Sequence, residues 1–142
     1  MLAIAGLFHA VAALGTWIPS FIDDRVREQF IPVWRLLLRP IQGETPNESL
    51  VSALSHVSQY LIGTSEVVIA VALLGAAFRP RRRLAWANFG LAYSTGLFGT
   101  FMIVLFALDD KNLPKWPMYL GVLTWLGATW LVVAMTDRQT TM

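Results

Sequence analysis

The sequence predicts an all-α integral membrane protein, a four-helix bundle with a short interfacial helix in its first outer loop. Three observations predict it. Charged residues make up 14% of the chain against 56% hydrophobic ones, roughly half the ~25% charge of soluble domains. Four apolar runs each reach about 20 residues, the length needed to cross a hydrocarbon core of ~30 Å. None shows the period-2 alternation of a barrel strand. The same composition excludes a disordered chain, and a core built from 142 residues cannot hide so much apolar surface from water. The chain has no cysteine, which excludes disulfides, thiol catalysis and thiolate-held metal or iron–sulfur centres.

The first span is residues 1–21, uncharged and carrying His9. It lacks the basic segment that opens a signal peptide, so it reads as a retained span. Residues 23–52 form an outer loop that is long for a compact bundle. Inside it, Phe30 to Arg39 reads FIPVWRLLLR. Pro32 suits a first helical turn. Val33, Trp34, Leu37 and Leu38 share one face and Arg35 and Arg39 another, which predicts a helix lying in the interface with its aromatic and leucines in lipid. The second span, 53–78, contains one acid, Glu66. The turn Arg79-Pro80-Arg81-Arg82-Arg83 follows, with Arg79, Arg81, Arg82 and Arg83 placed to bind anionic lipid headgroups. It lies close to the bilayer without interleaved aromatics, so nucleic-acid binding is not expected. The third span, 84–108, and the fourth, 116–135, are uncharged and flank the turn Asp109 to Lys115. Each has a line of small residues. Ala85, Asn88, Ala92, Gly96 and Gly99, with Thr95 beside them, mark the third, and Pro117, Gly121, Thr124 and Ala128 the fourth. Small residues let helix backbones approach, so these lines are read as packing faces. The whole chain, 1–142, is one domain.

Orientation follows from where the cations cluster. Arg79, Arg81, Arg82, Arg83 and Arg138 lie on the side of the termini, and Arg25, Arg27, Arg35, Arg39, Lys111 and Lys115 on the other. The bare count does not decide. The dense arginine turn does, placing it and both termini in the cytoplasm of a bacterial inner membrane. Trp17, Trp34 and Trp116 then mark the outer interface and Trp86 and Trp130 the inner one. Trp125 falls near mid-span, where it packs in the core or against a ligand ring.

Glu66 is the most informative residue. An ionised carboxylate in hydrocarbon costs several kcal/mol, and intramembrane acids mark function by default. No lysine or arginine lies inside a span to pair with it. At 100° per residue, Ser52, His56, Gln59, Gly63 and Glu66 fall within about 40° of one direction, with Ala70 and Ala77 continuing the line. This predicts a polar stripe from the outer surface to mid-bilayer, read as a half-channel or a polar-headed ligand pocket opening outward. Glu66 is the candidate proton relay, Gln59 and His56 are candidate ligand contacts along it, and Trp125 of the fourth span is a further one. The same polar groups serve equally as hydrogen bonds between helices, each contributing about 0.5–2 kcal/mol. His9 can act as an axial ligand to haem or chlorophyll, or bond a group on another helix. The linear sequence shows no nucleophile–base–orienter set, no phosphate loop and no metal-ligand spacing such as HxxxH.

Glu66 to Trp86 reads EVVIAVALLGAAFRPRRRLAW. An acid, then small residues and Leu73-Leu74-Gly75, then a basic turn and an apolar helix resemble the DoxX-like family of small four-spanning membrane proteins. The resemblance covers Ser52 to Phe106 and rests on Glu66, Gly75 and the Arg79–Arg83 turn. The first helix lacks the basic residue and lysine usual in the family, and the last helix matches nothing recognisable. The resemblance implies a membrane subunit of a quinone-linked redox system, working with partner subunits. The alternative is a non-catalytic accessory subunit of a larger respiratory or photosynthetic complex, with its small-residue lines facing partner helices. A small oligomeric transporter is a third possibility.

Overall fold

The computed structural model describes residues 1–18, 25–79, 83–107 and 116–140. Arg81, Arg82, the end of the first span and the 109–115 turn lie outside the described residues. Among them every regular element is helical: α1 (Leu2–Trp17), α2 (Arg25–Gln42), α3 (Glu48–Phe78), α4 (Arg83–Ala107) and α5 (Trp116–Thr140). Stretches of α3, α4 and α5 (Glu48–Phe78, Arg83–Val104 and Pro117–Thr136) are long and apolar enough to cross a membrane, and α1 is a shorter apolar helix.

Two boundaries differ from expectation for identifiable reasons. The helix expected over Phe30–Arg39 runs instead from Arg25 to Gln42, with Pro32 and Pro40 inside it. Pro32 therefore does not open the helix. It costs an i→i−4 bond in the interior, which the flanking turns tolerate. The second correction is α3, which begins at Glu48 because Asn47 caps it. The Asn47 side-chain oxygen accepts from the backbone N–H of Ser49 at 3.0 Å and of Leu50 at 3.3 Å, as an N-cap does. Between the two helices, Gly43 stands at φ 89°. That left-handed conformation ends α2 and is strained for any residue with a Cβ.

The chain divides into two compact units, Val11–Ser65 and Met1–Ala10 with Glu66–Met142. In the first, polar contacts fasten α2 to α3. The Trp34 indole N–H donates to the Ser58 hydroxyl at 2.9 Å. Arg35 forks onto the Glu48 carboxylate at 2.9 and 2.8 Å. These hydrogen bonds, with the Glu48 charge second, raise the Arg35 pKa further above its ordinary value. Trp34 thus faces α3 rather than dipping into lipid. The exposed apolar residues of α2 are Leu36, Leu37 and Ile41, the last 80% exposed. Gly63 gives room to the Trp17 indole, which occupies the space a Cβ would need.

In the second unit the core is built on Ile69, Leu73, Leu91 and Leu126, all fully buried, and α4 packs along α5. Gly6 and Gly90 permit close contact: a Cβ at either would come within 2.7 Å of Leu74 or Leu73. Much of the expected packing lines of the last two helices is turned outward, although Asn88, Thr95 and Gly99 are half-buried. Ala85, Ala92, Gly96, Pro117, Gly121, Thr124 and Ala128 are all exposed, and a Cβ added at Gly96, Gly99, Gly121 or Gly127 would meet nothing within 4 Å. The buried stripe of α4 is instead Ala87, Leu91, Ser94 and Phe98, and that of α5 is Tyr119, Leu126, Thr129 and Val133.

Candidate functional site

Three polar side chains meet inside the second unit, one from each of three helices. His9 comes from α1, Glu66 from α3 and Ser94 from α4. His9 and Ser94 are 0% exposed and Glu66 is 4% exposed. His9 Nδ1 bonds Glu66 Oε2 directly, and His9 Nε2 lies 2.8 Å from Ser94 Oγ. These pairings are 57 and 85 residues apart in sequence. The helices reach this register because the buried stripe of α4 carries Ser94 between Leu91 and Phe98.

Aromatic rings enclose the imidazole. Phe8 stands edge-on to it, centroids 5.3 Å apart, and Phe98 lies at 5.9 Å. Phe8 in turn meets Trp125 edge-on at 6.0 Å. Phe8 is itself 41% exposed, so the enclosure is one ring thick on that side. The apolar surroundings strengthen every polar contact within them and make an unpaired group there costly.

His9, Glu66 and Ser94 form the base–orienter–hydroxyl set that the linear sequence did not show. Its nitrogen assignment matches that of serine-hydrolase triads, with Nε2 on the hydroxyl and Nδ1 on the carboxylate. Its setting does not. Ser94 sits in the middle of α4, where backbone N–H groups are spent in the helix ladder and offer no oxyanion hole. The chemistry this arrangement suits is holding and exchanging a proton. Glu66 binds through one oxygen. Oε1 has no hydrogen-bond partner among the described residues, while the Glu66 side chain keeps 5% exposure.

The other expected site residues are engaged elsewhere. Gln59 donates from Nε2 to the Thr16 carbonyl at 2.9 Å, a helix-to-helix tie. His56 is exposed, with Nε2 3.2 Å from Arg27 Nη1. Trp125 packs on Phe8. His9, the candidate axial ligand, has both ring nitrogens in contact with side chains of the same chain, Glu66 and Ser94. Asn88 accepts from the Trp130 indole at 2.9 Å, joining α4 to α5. Thr95 Oγ1 is buried without a hydrogen-bond partner among the described residues. Arg79 and Arg83 are exposed, as headgroup contact requires. Among the described residues no cluster of three or more metal-ligating side chains occurs.

Ser94 is the residue that sequence reasoning missed. One signal pointed to it: Ala87, Leu91, Ser94 and Phe98 repeat at heptad spacing, which sets a serine into an apolar stripe. In comparisons with known proteins, no family model, curated protein or solved structure matches the chain.

Proposed function

We propose that the chain is a DoxX-like membrane subunit of a quinone-linked redox system, in which Glu66 exchanges the proton that accompanies quinone reduction. In this reading α1, α3, α4 and α5 span a bacterial inner membrane as one bundle. The α2 helix lies at the outer interface with Leu36, Leu37 and Ile41 toward lipid, and both termini and the arginine turn are cytoplasmic. The supporting observation is the Glu66–His9–Ser94 set. An acid paired inside its own chain with a proton-exchanging imidazole, and keeping one oxygen unspent, suits a proton donor or acceptor at a buried headgroup. His9 removes the need for a partner subunit to supply the counter-group to Glu66.

A specific observation favours a second reading, the accessory subunit. The small-residue faces of α4 and α5 are open, and glycine facing lipid gains nothing unless another helix covers it. Native mass spectrometry of the protein extracted from its own membranes separates the two. Retained quinone that is lost in Glu66→Gln supports the redox subunit. A large assembly whose turnover per complex is unchanged by Glu66→Gln supports the accessory role and overturns the proton exchange.

A further inference from the structure

We infer that Ser94 is a positioning residue that holds His9 as the Nδ1–H tautomer, and that Glu66 Oε1 is consequently the atom at which a hydrogen-bond donor with an apolar body binds. The inference deepens the proton-exchange reading and rests on it for the role of Glu66, though not for the identity of the donor.

The argument starts from an exception. Every other helical serine or threonine whose hydroxyl donation is described, from Thr16 to Thr136, donates to the carbonyl four residues back in its own helix. This is the usual resting bond of such hydroxyls in helices. Ser94 Oγ makes no such bond to the Gly90 carbonyl and lies instead 2.8 Å from His9 Nε2. It is fully buried, so its proton has no water to turn to, and Nε2 is its one acceptor among the described residues. Nε2 must then carry the lone pair. A neutral imidazole with a bare Nε2 bears its proton on Nδ1, and Nδ1–H donates to Glu66 Oε2. Were Nε2 protonated instead, Ser94 would accept there and return its own proton to Gly90, the bond it does not make.

The tautomer fixes the direction of the site. With Nδ1–H aimed at Oε2, that oxygen is held as the carbonyl-type acceptor, the better acceptor of a protonated carboxyl, so the proton Glu66 gains or loses is assigned to Oε1. Oε1 has no partner among the described residues, and the Glu66 side chain is not wholly covered. The neighbouring exposed surface is apolar, at Val67, Val68 and Phe8. A free anion gains nothing against a carboxylate there, and a hydrated cation would lose its water. An O–H or N–H group on an apolar ring or chain satisfies both features.

The test uses the full chain in lipid nanodiscs with His56→Gln, which leaves His9 as its single histidine. Nitrogen-15 NMR of the labelled imidazole reads the tautomer directly. The expected result is protonation at Nδ1 alone, with loss of that single tautomer in Ser94→Ala. Ser94→Cys, close in volume and a weaker donor, gives an intermediate mixture and controls for folding. Protonation at Nε2 in the parent, or no change in either variant, overturns the inference. Infrared difference spectra against Glu66→Gln then follow the carboxyl band. Both 4-butylphenol, a redox-inert O–H donor, and tetramethylhydroquinone are added. A band shift with both supports the donor site within a quinone-linked function. A shift with the phenol and none with the hydroquinone keeps the donor site and overturns the quinone. No shift with either overturns Oε1 as the binding atom.

Discussion

His9 touches Glu66 and Ser94 with its two nitrogens and Phe8 and Phe98 with its ring, so any change at the acid is felt through it. Glu66→Leu leaves the Nδ1 donor buried and unpaired, and is expected to destabilise the protein by about 1–3 kcal/mol. The double variant Glu66→Leu with His9→Leu removes both partners and should recover most of that loss, because apolar replacement of a buried polar pair is close to neutral. Thermal unfolding midpoints in one detergent check this. A double variant less stable than the single one would mean that the pair stabilises the fold outright. The acid was legible in the sequence because one carboxylate among apolar residues needs a partner, whether it acts or only ties helices together. Its partner was not. His9 and Ser94 each look ordinary alone, and only the approach of α1 and α4, which no local pattern encodes, brings them to Glu66. Gln59 and His56 share Glu66's direction on the helical wheel, but a common angle does not fix contacts. Each found a nearer partner, the Thr16 carbonyl and Arg27.

At the scale of the element, the glycines of α4 have two roles that substitution distinguishes. Gly90→Ala drives a Cβ to within 2.8 Å of Leu73 Cγ and is expected to lower the unfolding midpoint, as overpacking costs about 1–3 kcal/mol. Gly96→Ala meets open space and should be neutral or stabilising by up to ~1 kcal/mol, through helix propensity alone. Gly96→Leu should leave the isolated chain folded while releasing any partner helix, read as a mass loss in native spectra. Retention of the partner would exclude this face as its seat. For α2, Trp34→Phe removes the donation to Ser58 and is expected to cost about 1 kcal/mol, seen as faster proteolysis between Gly43 and Asn47. Three of the helices were legible from apolar run length alone. The ends of α2 and α3 were not, because Pro32 resembles a start signal and the Asn47 cap lies outside the apolar pattern. The packing faces were legible as faces but not their occupants, for a chemical reason. Small residues attract helices wherever they are, and the pattern does not say whether the neighbour belongs to the same chain.

For the whole molecule, the absence of cysteine allows its placement to be read one position at a time. Ser49→Cys is expected to react with an impermeant maleimide in intact cells, and Arg83→Cys only after lysis. The reverse pattern would invert the proposed topology. The self-bonded hydroxyls have a consequence for biogenesis. Thr64, Thr100, Thr124 and Thr136 are exposed and satisfy their protons within their own helices, so in a bilayer each helix can be released from the insertion machinery before it has met a neighbour. Glu66 makes no such bond within α3. Its partner is 57 residues earlier in the chain, and until α1 docks, the carboxylate stands unanswered in α3. In the proposed membrane topology the docking of α1 onto α3 is the step that pairs this acid, and His9 variants, which leave it unpaired, are expected to show a shortened cellular half-life in pulse-chase.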